Sequence, residues 1–233
     1  MKDFLGKIIL VFTAHPDDET FGMAGTIWKN RQKGGHTFVV CATFGEKGSS
    51  HLPRPVSESR LKVIRKRELL RAARFLKVSR VYPLGLPDGK LYTLLPQLSR
   101  EGLTVAREIK PEAILSFGRY GMSGHLDHIA VGRASRRIAS KLHIPVFTLT
   151  LPPQLVPGFI TRIKLRRRNP HYTKIKPVFE RPAVKVSIDS KIKLRAASFH
   201  KSQLGGENLF ASLPSSLRRV RLNAEYFARQ DVR

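Results

Sequence analysis

The stretch Lys7–Glu19, KIILVFTAHPDDE, decides the fold. Ile8 to Phe12 is an unbroken apolar run of strand length, far short of the ~18 apolar residues that a membrane span needs. It is too short for a signal peptide as well and leads straight into a histidine and three carboxylates, so it predicts a first strand. A strand without polar alternation is buried on both faces, which is the habit of parallel sheets. The polar string His15-Pro16-Asp17-Asp18-Glu19 then falls at that strand's carboxyl end, the edge of an open α/β sheet where ligands bind.

Outward from there, strand and helix signals alternate. Strand-like runs are predicted at His36–Phe44, Arg80–Leu84, Ala113–Phe117 and Pro145–Leu151. Helical patterns are predicted at Thr20–Lys33, Val56–Val78, Thr93–Ile109 and Asp127–Leu142. Repeated β-then-α order implies an α/β fold, a Rossmann-like, mostly parallel sheet with helices on both faces. Past Leu151 prolines interrupt the pattern, and 152–182 reads as a basic loop or small subdomain. Val184–Ile188 is predicted as an edge strand, with closing helices at Ser190–Gln203 and Ser215–Arg229. No repeat and no boundary divides the chain, so 1–233 is expected to be a single domain.

Composition narrows the class. With 41% hydrophobic and 26% charged residues the chain is neither disordered nor fibrous. A lone cysteine, Cys41, excludes an internal disulfide and a thiolate zinc cluster, and fits a reducing cytosol. Against 43 Lys+Arg stand 17 Asp+Glu, a formal charge of +26 that asks for an anionic partner. The excess grows along the chain: residues 129–233 hold 22 of the basic and 5 of the acidic side chains. Within Arg162–Arg181 eight cations sit beside apolar residues, a pattern that suits an anionic substrate or peripheral contact with an anionic membrane. A nucleic-acid binder is the non-enzymatic rival, but the chain carries no helix-turn-helix, zinc-finger or RNP-type signature.

His15 and two adjacent carboxylates are costly to crowd together unless a cation neutralises them. Read alone, the string could be a turn with Asp17 or Asp18 capping the next helix. A second string, His125-Leu126-Asp127-His128, follows the fourth strand on the same sheet edge, after the turn Gly121-Met122-Ser123-Gly124. Two imidazoles, a carboxylate and an open position make a catalytic zinc set, and the same set suits Fe(II). A metal phosphoesterase is the alternative reaction class, though it usually wants two metals and more ligands than these strings supply.

The AHPDDE string and Gly124–His128 (GHLDH) resemble the two metal motifs of the LmbE/PIG-L family of zinc-dependent N-acetylglucosaminyl deacetylases, with Leu126 in place of a frequent proline. Thr43–Gly48 (TFGEKG), Arg65–Leu69 (RKREL), Leu86–Gly89 (LPDG) and His200–Gln203 (HKSQ) are similar to lesser family segments. The resemblance runs from about Lys7 to Gln203. It implies that His15, Asp18 and His128 hold Zn2+, that Asp17 is the general base and that a protonated His125 stabilises the oxyanion. It further implies that Arg65, Asp88 and His200 bind substrate, and that Asp127 orients a histidine. The implied reaction removes the acetyl group from an N-acetylglucosamine-type conjugate by attack of a zinc-activated water, with the aglycone left open. The expected location is the cytoplasm, at most peripheral to the membrane. His36, His51, His143 and His171 have no partner motif and read as surface or loop residues.

Overall fold

A computed structural model describes residues 3–164, 170–173, 178–204 and 214–230. The first strand, β1 (Ile8–Thr13), is flanked in parallel by β2 (His36–Cys41) and β4 (Ala113–Phe117). With β3 (Arg80–Pro83), β5 (Val146–Thr150), β6 (Val184–Ser187) and β7 (Ala224–Gln230) they form one seven-stranded sheet of order β3-β2-β1-β4-β5-β7-β6. Ile9 to Phe12 are fully buried, as an unbroken apolar run requires of a strand covered on both faces.

Helix α1 (Asp18–Gln32) links β1 to β2, and α2 (Glu58–Phe75) links β2 to β3. The chain then returns across β1 through α3 (Leu95–Ile109) to β4, so the strand order reverses between β1 and β4. Right-handed crossovers put α1 and α2 on one face and α3 with α5 (Leu126–Leu142) on the other. Contacts agree: α3 packs on α5, while α1 and α2 pack on α7 (Ser190–Ala197). A reversal of this kind opens a crevice at the carboxyl ends of the two strands. Both polar strings end there.

After β4 a single turn, α4 (Gly121–Gly124), leads into α5. Past β5 come a 3-10 turn at Pro153–Leu155 and α6 (Val156–Lys164). Within the basic segment Arg162–Arg181, residues 165–169 and 174–177, Arg166, Arg167 and Arg168 among them, lie outside the described residues. No helix among the described residues is long and apolar enough to cross a membrane.

Two closing helices differ from expectation. Ser190–Gln203 is broken into α7 and α8 (Lys201–Leu204), because His200 turns inward between them. The stretch Ser215–Arg229 is helical only as far as Asn223, in α9 (Ser215–Asn223). The remainder is β7, antiparallel to both β5 and β6. AEYFARQ has good local helix propensity, but two ladders of backbone hydrogen bonds and full burial of Phe227, edge-on to Phe4 at 5.2 Å, outweigh it. Glu225 of β7 is buried too, in an ion pair with Lys193 at 2.7 Å, and it accepts from the N–H groups of Gly25 and Thr26.

Candidate metal centre and catalytic cleft

β1 delivers His15 one residue beyond Ala14, and the chain turns at once into α1. Asp17 occupies the N-cap position, yet its side chain makes no capping bond. Its φ of 121° is one that L-residues rarely adopt, a strain of about 1–3 kcal/mol that the surroundings must hold. Asp18 points back: Oδ2 accepts from the N–H groups of Ala14 (3.1 Å) and His15 (2.8 Å), and Oδ1 lies 3.3 Å from Nε2 of His128.

The second string meets it from β4. His125 caps α5, its Nδ1 accepting from the Asp127 N–H at 3.2 Å. The His128 ring stacks on Phe117 at 4.1 Å. Close approach is secured by Gly121, with φ of +62°, where a Cβ would come within 2.7 Å of that of His128.

Tautomers follow from the partners. Nδ1 of His128 lies 3.2 Å from the Gly121 carbonyl, so it carries the proton and leaves Nε2 with a lone pair. Nε2 of His15 faces two carboxylates, Asp88 Oδ1 at 3.1 Å and Asp127 Oδ2 at 3.4 Å, so in the neutral ring, the form that binds a metal, the lone pair is on Nδ1. That Nδ1 is 3.2 Å from His128 Nε2. Two lone pairs and a carboxylate converging on one point are what a divalent cation satisfies, and the rings' outer hydrogen bonds to carbonyl and carboxylate suit metal-binding histidines. The residues present fit the group.

A second set, His15, His125 and Asp127, also brings donor atoms within 4.8 Å. It is the weaker one. Asp127 is fully buried and its oxygens already accept from the N–H groups of Gly89 (2.7 Å) and Leu91 (3.0 Å).

The charges divide the aspartate pair. Burial raises the Asp18 carboxyl, but the imidazoles of His128 and His15 outweigh it and hold the group well below the usual range. Burial pushes Asp17 up to about 6, against the pull of Arg65. His125 is driven down to about 2 by burial and by its neighbours His128 and His15. That environment favours a neutral ring at His125 over the imidazolium that the resemblance implies. With Nδ1 accepting from the backbone, its proton sits on Nε2.

Three expected substrate residues have other partners. Arg65 leaves the buried face of α2 and donates to the carbonyls of Gly45 (2.9 Å) and Pro16 (2.6 Å) and to Asp17 Oδ2 (3.0 Å). A side chain at Gly45, where φ is +65°, would collide with that guanidinium. Asp88 gives one oxygen to His15 and the other to the N–H of Lys47 at 2.9 Å. Both line the cleft, Arg65 tied to Asp17 and Asp88 to His15. His200 is fully buried, its Nε2 3.3 Å from Glu19 and 3.2 Å from Thr20, so it lies beneath the site rather than in it. Glu19 in turn accepts from the Asp17 N–H at 3.1 Å. Ser202 is tied by its N–H and hydroxyl to Glu68 of α2.

The cleft above these groups is open and measures about 1060 Å³. Its outer wall holds residues that sequence reasoning missed: Phe21, Ser49, His51, His171 and Tyr172. His171 is brought in because Leu126 N–H donates to its carbonyl (2.8 Å) and Thr173 N–H to that of Gly124 (2.8 Å). Its ring lies parallel to His125 at 6.0 Å, and Tyr172 meets the other ring edge-on at 5.0 Å. No local pattern marks that pairing.

Residues 10–139, which span both metal strings, match the family model described as PIG-L, GlcNAc-PI de-N-acetylase. A protein of Bacillus subtilis (strain 168) named probable N-acetyl-alpha-D-glucosaminyl L-malate deacetylase 2 is 35% identical over 132 residues, 54% of this chain and 58% of its own length. The protein of the same name from Bacillus anthracis is 32% identical over 198 residues, 84% of this chain and 80% of its own. The fold is shared with the N,N'-diacetylchitobiose deacetylase of Pyrococcus horikoshii, solved with an inhibitor, at a TM-score of 0.66, 22% identity and coverage of 96% and 84%. With the family's model matching more than half of its length across both metal strings, the chain belongs to the PIG-L (GlcNAc-PI de-N-acetylase) family.

Proposed function

We propose that the chain is a metal-dependent N-deacetylase that hydrolyses the acetamide of an N-acetylglucosaminyl conjugate to acetate and a free amine. One observation carries the proposal. Asp17 shares the cleft with the donor set of His15, Asp18 and His128 but is not part of it, and its carboxyl is raised to about 6. Zn2+ is the ion proposed for that set, with Fe(II) also suited to it; when bound it polarises the amide carbonyl and acidifies water.

The remaining work falls to side chains. An acetamide is a poor electrophile, and its amine leaves only when protonated. Asp17 accepts the proton of the attacking water and returns it to the departing nitrogen, which suits a carboxyl whose pKa lies near 6. Arg65 fixes the orientation of that carboxylate. Nε2–H of His125 is the donor for the carbonyl oxygen as charge builds on it in the tetrahedral state. Asp88 and Asp127 hold His15 in the tautomer that presents Nδ1.

The relatives are named for a malate conjugate, and the proposal takes up the N-acetylglucosaminyl part, with the aglycone in the outer cleft among Lys47, His51 and Tyr172. An anionic aglycone suits that rim. The lone Cys41 is buried as a thiol, which fits work in the reducing cytosol. A two-metal phosphoesterase gains no support, since among the described residues a second ion would have to share His15 and the filled carboxylate of Asp127. The test is incubation of the metal-loaded protein with N-acetylglucosaminyl malate and inositol conjugates. Acetate and primary amine should appear in equal amounts. Release of neither, with metal bound, would overturn the proposal.

A further inference from the structure

Helix α2 has two faces with different partners. Inward it buries Leu61, Leu69, Ala72 and Ala73 and sends Arg65 to Asp17. Outward, Val63 is 40% and Leu70 44% exposed. At 3.6 residues per turn these two lie about 20° apart, along the crest of the solvent side. Around the crest stand Arg60, Lys62, Lys66, Arg67, Arg71 and Arg74, all exposed. None of the six is ion-paired among the described residues, although Lys62 and Lys66 lie over the Phe44 ring at 5.0 and 5.5 Å. Glu58, in the first turn, is the helix's only exposed acid, because Glu68 is buried on Ser202.

We infer that this face of α2 docks on an anionic lipid bilayer. Two aliphatic side chains in line on the crest, ringed by exposed cations, match a surface that is anionic outside and apolar beneath. A nucleic-acid backbone would meet cations but would leave Val63 and Leu70 against phosphates. At a bilayer surface the two aliphatic groups sink towards the acyl boundary while the flanking Lys and Arg reach the headgroup phosphates and carboxylates. Since Arg65 leaves the helix on the opposite side, docking leaves the cleft uncovered. The inference does not rest on the deacetylase reading.

Co-sedimentation of the whole chain with vesicles of phosphatidylcholine, with and without phosphatidylserine, tests it. The chain should bind only the anionic vesicles, and less as salt is raised. Each cation at such a surface contributes about fivefold, so Arg67→Gln, Arg71→Gln and Arg74→Gln together should weaken partitioning by about 100-fold. The matching triple Arg67→Lys, Arg71→Lys, Arg74→Lys should keep it. Val63→Ser with Leu70→Ser should also weaken vesicle binding while leaving binding to a DNA or RNA duplex unchanged. An equal loss on removing Arg100, Arg137 and Lys141 from α3 and α5 would overturn the inference in favour of net charge alone. Tighter binding to the duplex, indifferent to Val63 and Leu70, would overturn it in favour of nucleic acid. Melting temperatures of the variants report their folding independently of either readout.

Discussion

Nδ1 of His15 and Nε2 of His128 face each other across 3.2 Å, and each ring, when neutral, holds its proton on the far side. Neither nitrogen can donate to the other in those tautomers, and Asp18 adds a third acceptor, so the cluster favours a cation. Metal added to chelator-treated protein should therefore raise its melting temperature, by the equivalent of about 4 kcal/mol at a thousandfold excess over Kd. Replacing His15, Asp18 and His128 together by Ala should abolish that shift. A shift that survives the triple replacement would place the ion elsewhere.

Arg65 separates two roles that a steady-state assay can tell apart. If the guanidinium positions Asp17, Arg65→Lys should lower kcat by about 10–100-fold with KM little changed, because one ammonium cannot span Asp17 and two carbonyls. A rise in KM at constant kcat would restore the substrate-binding role that the sequence resemblance implies.

His200 gives a pH dependence of stability. Burial opposes its protonation, but the hydrogen bond and charge of Glu19, with Asp17 and Glu68 beyond, raise its pKa above the ordinary 6.5. A raised folded-state pKa stabilises below the unfolded value, and the contribution is lost as pH rises through the folded one. The urea midpoint of the parent should thus fall from about pH 6.5 upward relative to that of His200→Gln. A difference between the two proteins that does not vary with pH would contradict this.

Glu225 ties β7 to α1 and α7 through buried contacts with Lys193, Gly25 and Thr26. Glu225→Ala leaves a buried ammonium without its anion and should destabilise by about 3–5 kcal/mol in denaturant unfolding. A cost below about 1 kcal/mol would mean that the pair is solvated in solution.

The first five strands were legible because each is an apolar run bounded by a helix pattern, and β4 matches its predicted span residue for residue. The donor set was legible for a related reason: each polar string follows the carboxyl end of a buried strand, His15 by two residues and His125 by eight, so knowing the strands places the donors on one sheet edge. β7 was not legible, since Ala, Glu, Arg and Gln favour helix locally and only pairing with β5 and β6 makes it a strand. Arg65 and Asp88 were visible as members of the site and His200 was expected among them, but their places depend on partners distant in sequence: Asp17, His15 and Glu19. His171 carried no signal at all, because a two-bond bridge to the loop before α5 brings it to the cleft.

The division of labour between adjacent aspartates is the centre of the account, and the Asp17→Asn and Asp18→Asn proteins test it when metal content and acetate release are measured on the same samples. Asp17→Asn should keep its metal and lose activity by about 10²–10⁴-fold. Asp18→Asn should lose both together. Metal lost from the Asp17 variant, or full activity retained by it, would contradict the assignment.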